Sequence, residues 1–276
     1  EKQSLPIEDF LLSLFTDEIQ RRHNSATSRR AVHAGLDPDM VFERWDKASK
    51  ATFDRRVLQE LVSLRFIDTQ RNVVVLGPVG VGKTFIASAL GHVACASGFN
   101  VRFYRADALL RQLRQSRLDN SREALVAELA HIDLLIVDDF ALEPMSRDES
   151  RDVYQLVVER NARASTIITS NPAPISPTVL PSMTTRASLT RWMTTRIGSC
   201  RDEPRASASG PRTGGIHPIL GQSAVDRFRN NAYDLVIDGE SYRARLKPDI
   251  AKDGPPPSAP VVKPQTPLRR RRRQQR

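Results

Sequence analysis

The chain has 276 residues, a formal net charge of +10 and a hydrophobic fraction of 39%. Its length allows one large domain with appendages, and no apolar stretch approaches the roughly 20 residues that a membrane span needs. Residues 1–6 lack the pattern of a secretory signal, and the two cysteines suit a reducing compartment. These features exclude a membrane protein and predict a soluble, cytoplasmic protein with no membrane partner.

Residues 1–68 are predicted to form a small helical region. Near its start, apolar residues recur at helical spacing, and a second apolar set follows the turn signal Asp37-Pro38. A third helix is predicted to lead into the first strand. The apolar residues of the three segments are Ile7, Phe10, Leu11, Leu14 and Phe15, then Val41, Phe42 and Trp45, then Phe53, Val57, Leu61 and Leu64.

The next segment matches the phosphate-loop pattern GxxxxGK[ST] at every required position. Because an apolar strand precedes it and an amphipathic helix follows, a chance glycine-rich turn is a poor explanation. We expect the backbone N–H groups and Lys83 to bind phosphates and the Thr84 hydroxyl to bind Mg²⁺. The matching residues are Gly77, Pro78, Val79, Gly80, Val81, Gly82, Lys83 and Thr84.

From residue 69 to 245, short apolar runs alternate with helical patterns, which is typical of an α/β fold with crossover helices. Ser146 and Glu149 have the spacing of a capping box at the start of one such helix. The fold class predicted is a P-loop core with a five-stranded parallel sheet flanked by helices. The predicted strands are 73–76, 101–104, 134–137, 166–169 and 233–237.

Asp138 and Asp139 directly follow the apolar run 134–137. Open α/β sheets place ligands at the carboxyl ends of their strands, so these acids are candidates for the catalytic site. Asp138 would hold Mg²⁺ and Asp139 would polarise the attacking water. The alternative is a pair of acids that cap the next segment. Asn171, after the strand at 166–169, is a candidate to orient that water, although an Asn there is also a common turn former.

Arginines at positions 111, 114 and 117 recur every third residue on a predicted helix. Arg111, Arg114 and Arg117 would form a basic stripe that contacts the phosphates of DNA without reading its sequence. The alternative is a solvated helix face. The arginines of the tail at 246–276, which is expected to be disordered, leave the same two alternatives open.

The segment 172–220 breaks the α/β pattern, because it is rich in Pro, Ser, Thr and Arg and has few acids. A structureless loop of this length is unusual inside a compact domain. Two explanations stay open at this point: a disordered insertion, or out-of-frame translation between two compensating insertions or deletions.

Together these motifs resemble those of AAA+ ATPases, and specifically of the IstB-like transposition helper proteins, which are close to the DnaC-type helicase loaders. The resemblance covers about residues 5–171 and 222–245. It is carried by GPVGVGKT at 77–84, LLIVDDF at 134–140, STIITSN at 165–171, SAVDRF at 223–228 and GESYR at 239–243.

The resemblance implies an ATP- and Mg²⁺-dependent protein that assembles as a homo-oligomer on DNA and acts with the transposase of the same insertion element. It implies that Arg227 is an arginine finger reaching a neighbouring subunit, while the role of Arg243 stays open. Asp139 stands where many AAA+ proteins have glutamate, so we expect weak, DNA- or partner-stimulated hydrolysis. The alternatives are a DnaC-like helicase loader and a non-catalytic remnant that only binds ATP or DNA.

Overall fold

A computed structural model of the chain describes residues 7–46, 50–140, 145–171 and 227–242. The predictions for 172–220, Arg243 and the tail lie outside the described residues. The helices are α1 (Ile7–Ala34), α2 (Arg55–Val62), α3 (Arg65–Asp68), α4 (Lys83–Ala96), α5 (Ala106–Leu118), α6 (Arg122–Ala130) and α7 (Arg147–Arg160). The strands are β1 (Thr52–Phe53), β2 (Asn72–Leu76), β3 (Val101–Arg105), β4 (Leu134–Asp138), β5 (Ser165–Ser170) and β6 (Ala232–Asp238).

The strands form one sheet in the order β1-β6-β2-β5-β4-β3. All five predicted strands are present and pair in parallel, which confirms the α/β fold. The predicted strand number was one too low, because β1 adds an antiparallel sixth strand through Thr52 and Phe53 beside β6. Phe53 was therefore wrongly placed in a helix; α2 begins after Asp54, whose side chain accepts a hydrogen bond from the Arg56 N–H.

The two faces of the sheet are covered by different helices. In β2, Val73 and Val75 pack on the side of α1 and α4, whereas Val74 and Leu76 pack on the side of α5, α6 and α7. Every residue of β2, β4 and β5 is buried. Each fully buried Val or Leu contributes about 1.5–3 kcal/mol relative to an exposed one, so both faces hold the three central strands in place.

Helix α1 is longer than the apolar pattern at its start predicts, with 28 residues. Its C-terminal part contacts the rest of the fold, since Ala31 and Ala34 are buried and the Arg30 guanidinium donates a 2.7 Å hydrogen bond to the Cys95 carbonyl. Cys95 is a buried core residue as predicted, and burial raises the pKa of its thiol to about 11. None of the helices in the described ranges is long and apolar enough to cross a membrane.

The predicted capping box at the start of α7 is confirmed. The Ser146 hydroxyl accepts a hydrogen bond from the Glu149 N–H, and the Glu149 carboxylate accepts one from the Ser146 N–H. Two free N–H groups of the helix end are thereby satisfied. Helix α7 then carries the chain back to β5, the strand that lies between β2 and β4.

Candidate functional site

The predicted phosphate loop connects β2 to α4 at the carboxyl end of a central strand. Gly80 has a φ of +84° in this loop, a conformation that side chains rarely adopt. A segment distant in sequence holds it there: the Tyr242 N–H donates a 2.8 Å hydrogen bond to the Gly80 carbonyl. A Cβ atom at Gly80 would lie 2.1 Å from the Ser241 hydroxyl oxygen. The conformation of the loop therefore depends on Ser241 and Tyr242, just beyond β6. The sequence analysis used these residues as part of the family resemblance but did not predict their contact with the loop.

Lys83 begins α4 and is only 6% exposed. Its ammonium donates hydrogen bonds to the carbonyls of Gly77 and Pro78, at 2.9 and 2.7 Å. A buried charge needs such partners, and phosphate oxygens are stronger acceptors than neutral carbonyls. A triphosphate entering the loop would therefore exchange these bonds for charge-assisted ones, next to the positive end of the α4 dipole.

Thr84 and Asp138 come together as the sequence predicts for a metal site. The Thr84 hydroxyl lies 3.0 Å from both carboxylate oxygens of Asp138, which is only 3% exposed. Burial raises the pKa of this carboxyl group, and a cation beside it would offset that cost. A hydroxyl and a carboxylate are ligands that Mg²⁺ prefers, so the two side chains fit the metal.

Thr169 was missed as a functional residue. Its hydroxyl donates a hydrogen bond to the Asp138 carboxylate and accepts one of 3.0 Å from the Asp139 N–H. This buried residue therefore orients both acids from the neighbouring strand β5. The available signal was a hydroxyl residue directly after the apolar pair Ile167-Ile168, in the last part of a strand predicted to lie in the same sheet as the strand that ends in carboxylates.

Asp139 lies at the same edge of the sheet but in a different environment. Its backbone has a φ of +56°, and its side chain is 34% exposed. The Arg105 guanidinium, at the end of β3, lies 3.7 Å from its carboxylate, a contact that the sequence analysis did not identify. Asn171 directly follows β5 and is half-buried, so it lies at the edge where the candidate acids lie.

An aromatic cluster flanks the phosphate loop on the side of the N-terminal region. The Trp45 ring contacts Phe85 of α4 and Phe53 of β1 edge-to-face, with centroids 5.2 and 6.2 Å apart. A Cβ atom at Gly82 would lie 2.8 Å from the Trp45 ring. Trp45 therefore packs directly on the loop. The sequence analysis had placed it only in an apolar set of the N-terminal helical region.

Within one chain, Arg227 does not lie beside the phosphate loop and the two acids. It is exposed and begins a helical turn at residues 227–230. The following residue, Phe228, is buried, and its carbonyl accepts a hydrogen bond from the Asn72 amide at the start of β2. The structure thus places Arg227 at the amino ends of the strands, opposite the phosphate loop.

The three arginines proposed for DNA binding lie on α5 as predicted, and each has a carboxylate partner. Arg111 contacts Asp107 at 3.0 Å. Arg114 contacts Glu149 of α7 at 2.6 Å. Arg117 contacts Asp152 at 2.7 Å and Asp148 at 3.1 Å. Their charges are therefore compensated in part within the fold.

Comparison with known proteins identifies the family of this chain. Residues 1–176 match the family model described as IstB-like ATP binding protein. An ATP-binding protein in an insertion sequence of Mycobacterium tuberculosis is 30% identical, over 87% of this chain and 82% of the relative. An insertion-sequence ATP-binding protein of Sinorhizobium fredii is 34% identical, over 88% of this chain and 85% of the relative.

Among solved structures, the crystal structure of DnaI superposes with a TM-score of 0.50 at 16% identity, covering 73% of this chain and 94% of that chain. This likeness concerns the fold alone. The family match and the two relatives, which span most of both chains, show that this chain belongs to the IstB-like ATP-binding protein family.

Proposed function

We propose that this chain binds ATP with Mg²⁺, hydrolyses it slowly, and assists the transposition of an insertion element together with the transposase of that element. The observation that supports ATP and Mg²⁺ binding most directly is the 3.0 Å approach of the Thr84 hydroxyl to the Asp138 carboxylate, beside Lys83. Relatives named as insertion-sequence proteins favour transposition over helicase loading.

We assign a role to each residue on the basis of its position. Lys83 and the loop N–H groups would hold the β- and γ-phosphates, and Thr84 and Asp138 would hold Mg²⁺, which neutralises developing charge on the phosphates. Asp139, being half-exposed and close to Asp138, would take a proton from the attacking water. Asn171 would orient that water. Arg105 would have to leave the Asp139 carboxylate for this to occur, because its guanidinium lies 3.7 Å from the oxygen that would face the water.

Assembly would complete the site. Arg227 lies at the opposite end of the strands in its own subunit, so it could reach a γ-phosphate only in a neighbouring copy. In this proposal the homo-oligomer forms on DNA, and hydrolysis depends on contact between subunits. The oligomer rests on the family resemblance and on this position of Arg227, and the transposase contact rests on the family resemblance alone.

The decisive experiment for ATP binding is Lys83→Ala, measured by calorimetric titration with ATP and Mg²⁺. We expect binding to be lost or weakened by at least about tenfold, because a charge-assisted hydrogen bond contributes about 1.5–3 kcal/mol. Lys50→Ala is the matched control, since Lys50 is exposed and pairs with Glu240 on the surface. Unchanged affinity in Lys83→Ala would refute the site.

The hydrolysis and assembly parts have separate tests. Arg227→Ala should retain ATP binding and lose DNA-stimulated turnover, whereas Arg163→Ala, an exposed arginine paired with Glu159, should retain both. Full turnover in Arg227→Ala would remove the finger role. Recruitment of the purified transposase to DNA should require ATP, and failure in the presence of normal ATPase activity would contradict the transposition role alone.

A further inference from the structure

The second half of helix α1 carries a concentration of positive charge. Residues 19–34 contain four arginines and two histidines and no aspartate or glutamate. At about 3.6 residues per turn, Arg22, Arg29 and His33 lie within roughly 40° of one another around the helix axis. We call this line the α1 basic face; it consists of Arg22, Arg29 and His33, with Arg21 beside it.

The α1 basic face points into solvent. The residues that attach this half of α1 to the fold, Ala31 and Ala34, are buried and lie on the other side of the helix. Arg29 is exposed, and the side chain of Arg22 is 77% exposed. A large partner can therefore reach both guanidinium groups without any change in the fold.

Carboxylates compensate the α1 basic face less than they compensate the arginines of α5. Arg21 and Arg22 share one carboxylate, that of Glu18, at 2.8 and 2.6 Å. Arg29 forms no ion pair with any residue in the ranges that the structure describes. On α5, by contrast, each of the three arginines has at least one carboxylate of its own. Positive charge is therefore in excess on α1, and it attracts a polyanion.

The line of positive charge continues onto the edge of the sheet. Helix α1 packs against β3, the last strand in the sheet order, and Arg102 of β3 donates a hydrogen bond to the His33 carbonyl. The Arg102 guanidinium also lies 3.0 Å from the His33 ring nitrogen and 3.9 Å from the Glu128 carboxylate. Helix α5 packs on the other face of the sheet. The α1 basic face is therefore a surface separate from the α5 arginines.

The chemistry of the α1 basic face fits the phosphate backbone of duplex DNA. Guanidinium groups form charge-assisted, often bidentate, hydrogen bonds with phosphate oxygens. Arg22 and Arg29 are about 10 Å apart along the helix, which corresponds to roughly three base pairs of duplex. Residues 19–34 contain no Phe, Tyr or Trp on which the bases of a single strand could stack. The residue types therefore favour backbone contact with a duplex over binding of unpaired bases.

We propose that the α1 basic face is a second DNA-contact surface, which binds the phosphate backbone of duplex DNA independently of its sequence and of nucleotide. The proposal rests on DNA as a partner in the proposed function, and it adds a surface on the opposite side of the sheet from α5. Because exposed ion pairs contribute little to stability, a phosphate replaces Glu18 beside Arg22 at small cost.

Fluorescence anisotropy of labelled duplex DNA, titrated with the full chain without nucleotide over a range of salt concentrations, tests the proposal. Arg22→Ala combined with Arg29→Ala should weaken binding by at least about tenfold at low salt, to a similar extent for different sequences. The slope of log affinity against log salt should fall by about 2, since each phosphate contact contributes about 0.9.

A matched control removes the same charge elsewhere. Arg151→Ala combined with Arg163→Ala changes two exposed arginines of other elements, each of which pairs with an acid on its own surface. This control should keep the salt slope of the wild type. An equal loss of slope in the control, or an unchanged slope in the Arg22 and Arg29 variant, would overturn the proposal.

A charge-conserving variant distinguishes phosphate contact from a structural role of the two arginines. Arg22→Lys combined with Arg29→Lys should retain most of the salt slope, because an ammonium group also binds phosphate. If this variant loses as much slope as the alanine variant, the proposal is wrong. Circular dichroism and ATP binding should match the wild type in both variants, which shows that they fold.

Two further outcomes separate this proposal from the proposed function. A wild type that does not bind DNA would refute both the α1 basic face and the DNA partner of the proposed function. A wild type that binds DNA, with an alanine variant that binds equally well, would refute the α1 basic face alone. If the alanine variant binds DNA normally but loses affinity for phosphatidylserine vesicles, the face contacts an anionic membrane surface instead.

Discussion

The carboxyl ends of the central strands and the outer face of α5 both carry charged residues that the sequence singles out as functional, yet their surroundings differ. At the strand ends, Asp138 is buried and oriented by hydroxyl groups from Thr84 and Thr169. On α5, Arg114 and Arg117 are held by carboxylates of α7.

This difference shows that two sequence patterns support a functional site to different degrees: motifs at the carboxyl ends of parallel strands, and charged residues at helical spacing. Parallel strands bring their carboxyl ends to one edge of the sheet, so the motifs after β2 and at the end of β4 lie on the same edge, with only β5 between the two strands. A helical spacing determines which residues share a face but says nothing of what packs against it. The α5 arginines therefore include residues that serve the fold, and the predictions below separate the two roles.

The largest effect is expected from Gly80→Ala in the phosphate loop. Together, the strained φ and the overlap with Ser241 should cost about 2–4 kcal/mol and displace the segment that ends at Tyr242. Chemical denaturation and ATP binding measure both results. Gly98→Ala is the control, since its φ of +97° is similar but nothing lies within 4 Å of an added Cβ. Equal costs in the two variants would show that the Ser241 contact is unimportant.

An intermediate effect is expected from Thr169→Val, which keeps the shape of the side chain. Removing the hydroxyl leaves the Asp139 N–H and the buried Asp138 carboxylate short of a partner, which should cost about 2 kcal/mol of stability. Mg²⁺-dependent ATP binding should weaken in parallel. Thr166→Val is the control on the same strand, because Thr166 instead accepts a hydrogen bond from Arg160. If both variants bind ATP normally, Thr169 does not position the site.

The smallest effects distinguish the arginines of α5. Arg117→Ala should cost about 1 kcal/mol of stability, because it removes one of the two guanidinium partners of the buried Asp152. Arg111→Ala should cost less than about 0.5 kcal/mol, since its pair with Asp107 is exposed.

DNA binding measured over a range of salt concentrations completes this test. Arg111→Ala should weaken binding for all sequences and reduce the salt slope by about 1 if the residue contacts a phosphate. An unchanged slope in Arg111→Ala would contradict its phosphate contact, and normal stability in Arg117→Ala would contradict its role in the fold.

Much of the fold and of the site could be predicted, because the sequence patterns that indicate them are contiguous and each has a direct physical cause. The five parallel strands, the phosphate loop, α4 and the capping box at Ser146 each follow from a contiguous pattern. Strand β1 could not be predicted, because two residues are too few to show the alternation of apolar and polar residues that marks a strand. Its pairing with β6 also depends on a segment far along the chain.

The same reason explains the missed site residues. Thr169, Arg105 and Trp45 act through neighbours that are distant in sequence, and each has a side chain that is also common in ordinary cores or surfaces. The exposure of apolar side chains at the start of α1, such as Phe10 and Phe15, could not be predicted either, because an amphipathic pattern does not say whether the fold covers it.

The position of β6 has a consequence for how the chain becomes functional as it is made. This strand enters the sheet between β1 and β2, although nearly the whole α/β core precedes it in the chain. During synthesis, the edge of β2 that pairs with β6 stays unpaired until residues 232–238 have been made. The phosphate loop likewise lacks its hydrogen bond from Tyr242 until that residue has been made. The nucleotide site of this protein is therefore complete only after β6, the last strand of the described ranges, has paired with β2.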